Sequence, residues 1–169
     1  MPLAYSLSSY DDNFCLKPPA LLWLAAAYLS RAVVLIVGAD IASVTRLGAN
    51  VATLLRGAVS IYALVPSVIA APVLFALVAR APGSPKPVRW VYAQGRTILA
   101  VAAVLDCAAA LAASGIANLD VVELSAGFLV TAVFDIYFLV YILATRRVRD
   151  AFASFPPRPD PAPKRKRRR

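Results

Sequence analysis

The sequence predicts an all-α, polytopic membrane protein, a bundle of four transmembrane helices with both termini in the cytoplasm. Three observations carry this. Hydrophobic residues make up 60% of the 169 and the mean hydropathy is +0.70, too apolar for a soluble domain of that length. The apolar residues fall into four runs of about twenty, the length a helix needs to cross a hydrocarbon core of ~30 Å. The cations gather at those ends of the runs that would share one face of a membrane, as the positive-inside bias requires.

Residues 1–18 form the N-terminal cytoplasmic segment. Asp11 and Asp12 stand where a secretory leader would carry positive charge, so no cleavable leader is expected. Pro18 and Pro19 open the first span, where a helix tolerates proline in its first turn. That span, residues 19–38, holds one charge, Arg31, near its middle. Residues 40–57 then alternate at helical spacing, with Ser43, Arg46, Asn50 and Thr53 on one stripe and Ile41, Val44, Val51 and Leu55 opposite. The pattern suits a helix lying in the outer interface; an irregular connector or an extension of the next span is the alternative.

The second span, residues 58–79, contains Pro66 and Pro72. Each removes a hydrogen bond of the helical ladder, so kinks that shape packing are expected there. Arg80 to Arg96 follow as a proline-broken loop with four cations (Arg80, Lys86, Arg89, Arg96) and no anion, which fixes that side as cytoplasmic. Arg89, Tyr92 and Arg96 would share a helical face, and Trp90 and Tyr92 suit the headgroup layer. The third span, residues 97–116, is joined by a short acidic turn over 117–123 to a fourth, residues 124–144, which makes the two antiparallel neighbours. Arg146, Arg147 and Arg149 close the membrane domain, which occupies residues 19–150. With this orientation every Lys and Arg except Arg31, Arg46 and Arg56 faces the cytoplasm.

Residues 151–169 are proline-rich and end in Lys164, Arg165, Lys166, Arg167, Arg168 and Arg169. Such a composition cannot bury a core and is expected to be disordered. The loop cations, Trp90, Tyr92, Arg146, Arg147 and the six terminal cations are expected to contact anionic lipid headgroups, each worth on the order of 1 kcal/mol near a charged leaflet. A nucleic-acid partner is not expected.

Function is less legible. The chain has no histidine, which removes histidine bases, histidine metal ligands and the common hydrolase triads. Cys15 and Cys107 should lie at different depths and are read as free thiols. Neither an enzyme, a metal nor a cofactor is expected. The costly residues are Arg31, Asp106 and Asp135, each near the centre of its span, where an unpaired charge costs roughly 2.5–3.5 kcal/mol. They are expected to face inward and meet, with Tyr28 and Thr131 as polar neighbours and an alanine stripe (Ala102, Ala103, Ala109, Ala110, Ala113) letting another helix approach Asp106. Three readings stay open: a structural Asp-Arg-Asp clamp, a pathway for protons or ions, and a polar site for a partner's helix.

Tyr10-Asp11-Asp12, Cys15-Leu16-Lys17-Pro18-Pro19, Leu22-Trp23, Tyr28-Leu29 with Arg31, Arg80 with Pro82, Arg89 and Gly95-Arg96 together resemble the YfeZ-like family of small bacterial inner-membrane proteins, whose function is uncharacterised. The resemblance spans residues 5–149, implies a bacterial plasma membrane and implies no catalytic residue. The expected role is a non-enzymatic accessory, scaffold or assembly factor that contacts the lipid bilayer and a larger membrane complex. The alternative is a small homo-oligomeric proton-coupled transporter or channel using the Asp/Arg cluster.

Overall fold

The computed structural model describes residues 5–6, 9–11, 14–44, 48–57, 59, 61–113 and 126–156. Seven helices occur among them: α1 (Ala20–Leu29), α2 (Arg31–Val44), α3 (Gly48–Gly57), α4 (Ile61–Val78), α5 (Lys86–Ala113), α6 (Ala126–Ala144) and α7 (Arg146–Ala153). Among the described residues the only β feature is an isolated bridge between Tyr10 and Leu16. The helices Ile61–Val78 and Lys86–Ala112 are long and apolar enough to cross a membrane. The number rises to four if each of two bent pairs is one span, α1 with α2 at 76° and Leu129–Ala144 with α7 at 65°.

α4 and α5 form the central pair. α1 packs on both, α6 lies along α5, and α2 folds back against α3 while touching α4. The core is small-residue and aliphatic: Ala25, Ala26 and Leu29 of α1, Ala70 and Val73 of α4, Leu99 and Ala102 of α5, with Phe138 and Ile142 of α6 closing it. Alanines at helical spacing let backbones approach, so the seams are tight without bulky knobs. Outward-facing positions such as Val65, Phe75, Val104 and Val133 are exposed and apolar, as on helices whose outer faces meet lipid.

Four expectations change. The first span is not a continuous helix over 19–38: it breaks at Ser30 with neither glycine nor proline. In an unbroken helix the Ala32 amide would donate to the Tyr28 carbonyl. Here the amide donates to Ser67 Oγ of α4 at 3.3 Å, and the Tyr28 carbonyl accepts from the Arg31 guanidinium at 3.3 Å. One ladder bond is thus exchanged for two partners outside the ladder.

Residues 40–57 are not one outer helix but the end of α2 and the whole of α3. The two pack through Ala39, Ala42 and Ala52 and are tied by an exposed Arg56–Asp40 pair at 2.7 Å. The third span starts at Lys86, inside the stretch expected to be a loop, because Pro87 falls in the first turn where its missing amide is not needed. Only residues 79–85 turn, held by Ser84 Oγ, which donates to the Ala79 carbonyl and accepts from the Ala81 amide.

The boundary drawn at Asp150 also moves. Residues up to 156 are packed, because Val148, Ala151 and Phe152 form a buried face of α7 against α5, and Pro156 is buried beyond it. α4 runs through Pro66 and Pro72 as one helix. The 117–123 turn and the residues Lys164 to Arg169 lie outside the described residues.

Candidate functional site

The break at Ser30 places Arg31 at the start of α2, inside the bundle. Its Nη1 and Nη2 donate to Asp106 Oδ2 and Oδ1 at 2.6 and 3.1 Å, a bidentate pair. The guanidinium also lies 4.5 Å from the centroid of the Tyr28 ring, a cation–π contact. Its bond to the Tyr28 carbonyl sets a cation at the negative end of α1, where the helix dipole favours it. Three functions converge on one side chain: it neutralises Asp106, caps α1 and starts α2.

Asp135 of α6 is 1% exposed, and neither of its carboxylate oxygens has a hydrogen-bond donor among the described residues. Asp106, Arg31 and the Tyr28 hydroxyl are near enough to act on it, yet none stands in hydrogen-bonding geometry with either oxygen. The rings of Tyr28, Phe134 and Phe138 stand 5.3–6.2 Å apart beside it. Arg31, Asp106 and Asp135 are therefore brought together, but unequally: the arginine is committed to one aspartate. A carboxylate buried without a donor is expensive, and uptake of a proton removes that expense. Ser67, which accepts the amide released at the helix break, was not singled out in the sequence; a serine next to Pro66 in the middle of an apolar span is the signal that marks it.

A second polar cluster lies where residues 9–11 and 14–17, the 79–85 turn, the start of α5 and α7 meet; we refer to it as the basic end. Arg80, its side chain 7% exposed, stands 3.4 Å from Asp11 Oδ2, donates to the Ser154 carbonyl at 3.0 Å and lies 5.6 Å from the Tyr92 ring centroid. Arg89 donates to the carbonyls of Pro82 and Pro156 and lies over the Phe155 ring. Tyr92 is fully buried, donating to the Ala151 carbonyl at 2.9 Å and packed between Phe152 and Phe155.

The N-terminal segment closes this end. The Asp11 carboxylate accepts the Cys15 amide at 2.9 Å, turning the chain through Phe14 at a left-handed φ of 56°. The Tyr5 hydroxyl donates to Asp150 Oδ2 at 2.8 Å, and this bond holds its proton more tightly than usual. Burial and the Asp11 charge likewise push the Cys15 thiol up from its ordinary range.

These contacts correct the expected lipid-facing set. Arg80 and Tyr92 are buried and partnered inside the fold, and Arg89 is largely absorbed by backbone carbonyls. Arg96 donates through Nε and Nη2 to the carbonyls of Ile142 and Leu143 at the end of α6. Arg147 is half-buried, whereas Lys86, Trp90 and Arg146 are exposed. Arg80 and Arg89 turn inward because unsatisfied carbonyls at helix ends and turns compete with headgroups for guanidinium donors.

Neither Cys15 nor Cys107 is in a disulfide. Among the described residues no group of three or more His, Cys, Asp or Glu side chains is placed to hold a metal. No curated protein and no solved structure matches the chain. A family model does, over residues 5–154, described as a protein of unknown function (DUF2919). All seven helices and the mid-bundle cluster lie inside that match, as does the basic end apart from Phe155 and Pro156, and the chain belongs to this family of unknown function.

Proposed function

We propose that the protein is a small bacterial inner-membrane carrier or channel that moves protons, alone or with a solute, and that Asp135 is the group that takes up and releases them. The observation that carries this reading is the inequality at the mid-bundle cluster: Arg31 satisfies Asp106 with both donors and leaves Asp135 buried without one. A clamp built only for stability would be complete with one aspartate. A helix broken at the same level supports the reading, because discontinuous helices place backbone groups and dipole ends at transport sites. Four spans with both termini inside put the basic end in the cytoplasm. This orientation follows the clustering of Lys and Arg, which acts during insertion and is indifferent to the bonds those side chains make later. So few helices enclose little lumen, which favours a homo-oligomer.

The test is proton flux into liposomes containing the purified protein, followed with an entrapped pH-sensitive dye. Wild type should conduct above protein-free liposomes, and Asp135→Asn should lower the flux at least tenfold while leaving yield and helicity unchanged. Equal flux from the variant, or none from wild type, removes the proposal.

A second reading, an accessory or assembly factor acting by contact, is favoured by one feature. Val130, Val133, Tyr137 and Val140 form an exposed stripe on α6 at spacing i, i+3, i+7 and i+10, the pattern of a seam for another helix. Mild cross-linking in the native membrane tests it: a near-stoichiometric heterologous partner supports the accessory role, and recovery of homo-oligomers alone supports transport.

A further inference from the structure

Between α5 and α6 runs a groove of about 560 Å³ whose residues include Arg96 and Thr97 at one end and Ala100, Val104, Leu139 and Leu143 beyond. Its volume falls within the ~300–1,000 Å³ of small-molecule sites. Its flanks are open, with Val104 53% and Leu143 50% exposed. From Thr97 to Leu105 it extends eight residues, about 12 Å along α5 at 1.5 Å per residue. It is therefore a trough with one polar end and one apolar end.

The polar end carries a charge. Arg96 spends Nε and Nη2 on the Ile142 and Leu143 carbonyls, and no carboxylate pairs with it among the described residues. Those carbonyls fix the guanidinium at the mouth of the trough and offset its charge only in part. Two helical turns before Thr97 on the same face of α5 stands Trp90, 65% exposed, the residue type that marks a headgroup layer. A fixed cation and an aromatic belt residue at one end, with a hydrocarbon-lined channel leading away, are complementary to one kind of molecule.

We propose that this groove binds one anionic phospholipid, its phosphate on Arg96 and one acyl chain along Ala100, Val104, Leu139 and Leu143. The site is independent of the proton reading, since neither Asp135 nor Asp106 lines it. A second copy of the chain or a free phosphate on Arg96 are the competing occupants.

Native mass spectrometry of the intact protein, released from detergent after addition of phosphatidylglycerol, phosphatidylcholine of equal chain length, or inorganic phosphate, distinguishes them. Wild type should retain one phosphatidylglycerol about fivefold more tightly than phosphatidylcholine, the value of one cation at a charged surface. Arg96→Gln should make the two lipids equal. Val101→Phe, which fills the groove from its exposed wall and leaves Arg96 untouched, should abolish retention of both; it decides the matter if Arg96→Gln fails to fold. Equal retention of the two lipids by wild type, undiminished binding to Val101→Phe, retention of inorganic phosphate as strong as that of lipid, or a dimer that excludes lipid would each overturn the assignment.

Discussion

The same three residue types, an arginine, an aspartate and a tyrosine ring, are assembled twice in this molecule. At the basic end Arg80 meets Asp11 and the Tyr92 ring; within the bundle Arg31 meets Asp106 and the Tyr28 ring. The difference lies in what each cluster holds in excess. The basic end has surplus cations, and backbone carbonyls of Pro82, Ser154 and Pro156 absorb their donors. The bundle has a surplus carboxyl group, Asp135, and no donor among the described residues reaches it, because helical backbone amides are already spent on the ladder. An arginine has several donors and finds carbonyls for some of them even where Nε stays unpaired, as in Arg80 and Arg89, whereas a carboxylate needs a donor that a helix interior does not offer. The first arrangement is closed largely by the chain's own carbonyls, and the second keeps a buried carboxyl group without a donor among the described residues.

The strongest way to break the contrast is to remove the arginine within the bundle. Arg31→Leu leaves Asp106 buried without a partner and the end of α1 uncapped, and should cost about 3–5 kcal/mol. Thermal unfolding in detergent and the level of folded protein in the membrane both report it. Adding Asp106→Leu should recover most of the loss, and Asp135→Leu alone should cost nothing by the same measurement, since that carboxylate forms no bond to lose. A large loss in Asp135→Leu would make the two aspartates equivalent and erase the distinction.

A smaller effect should come from Gly95. A β-carbon there would stand 2.4 Å from Cε1 of Phe152, so Gly95→Ala should destabilise by roughly 1–3 kcal/mol through overpacking. Phe152→Leu in the same chain should restore part of it, whereas an unchanged midpoint for Gly95→Ala would mean that α7 is not seated on α5. Smallest is Asp11→Asn, which keeps an oxygen for the Cys15 amide and removes the charge facing Arg80; Arg80 retains the Ser154 carbonyl, so the expected loss is about 0.5–1.5 kcal/mol, that of one hydrogen-bonded contact. A loss undiminished at high salt would identify the pair as shielded from solvent, as the burial of the Arg80 side chain implies.

Length and hydropathy were enough to read the all-helical class and the long apolar helices α4 and α5, because these depend on runs of residues and not on particular partners. Arg31, Asp106 and Asp135 were legible as a set, since a charge amid twenty apolar residues has few places to go. Which aspartate the arginine would choose was not, because the choice depends on how α1 ends. That break was invisible in Tyr28-Leu29-Ser30-Arg31: its causes, Ser67 and Asp106, lie 35 residues from Ala32 and 75 from Arg31. The basic end was misread for the opposite reason. Arg80, Arg89 and Tyr92 fit a headgroup layer by type, and only the positions of α7 and of residues 9–11 and 14–17 reveal that partners within the chain reach them first. The residues that carried the family resemblance fall largely on these same two clusters, including Asp11 with Arg80 and Arg31 with Tyr28.

The seating of Arg80 between Asp11 and the Ser154 carbonyl also has a consequence for biosynthesis. The N-terminal segment and the 79–85 turn leave the ribosome long before α7 does and can meet through Asp11 and Arg80, yet Tyr5 lacks Asp150 and Arg80 lacks the Ser154 carbonyl until α7 arrives. Arg31 and Asp106, by contrast, can join as soon as α5 is inserted. The bundle can therefore mature from its centre outward, with the charged end held open until the last helix is translated. An arrest of synthesis just before Arg146 should yield chains with the inner ion pair made and the N-terminal segment still accessible to protease.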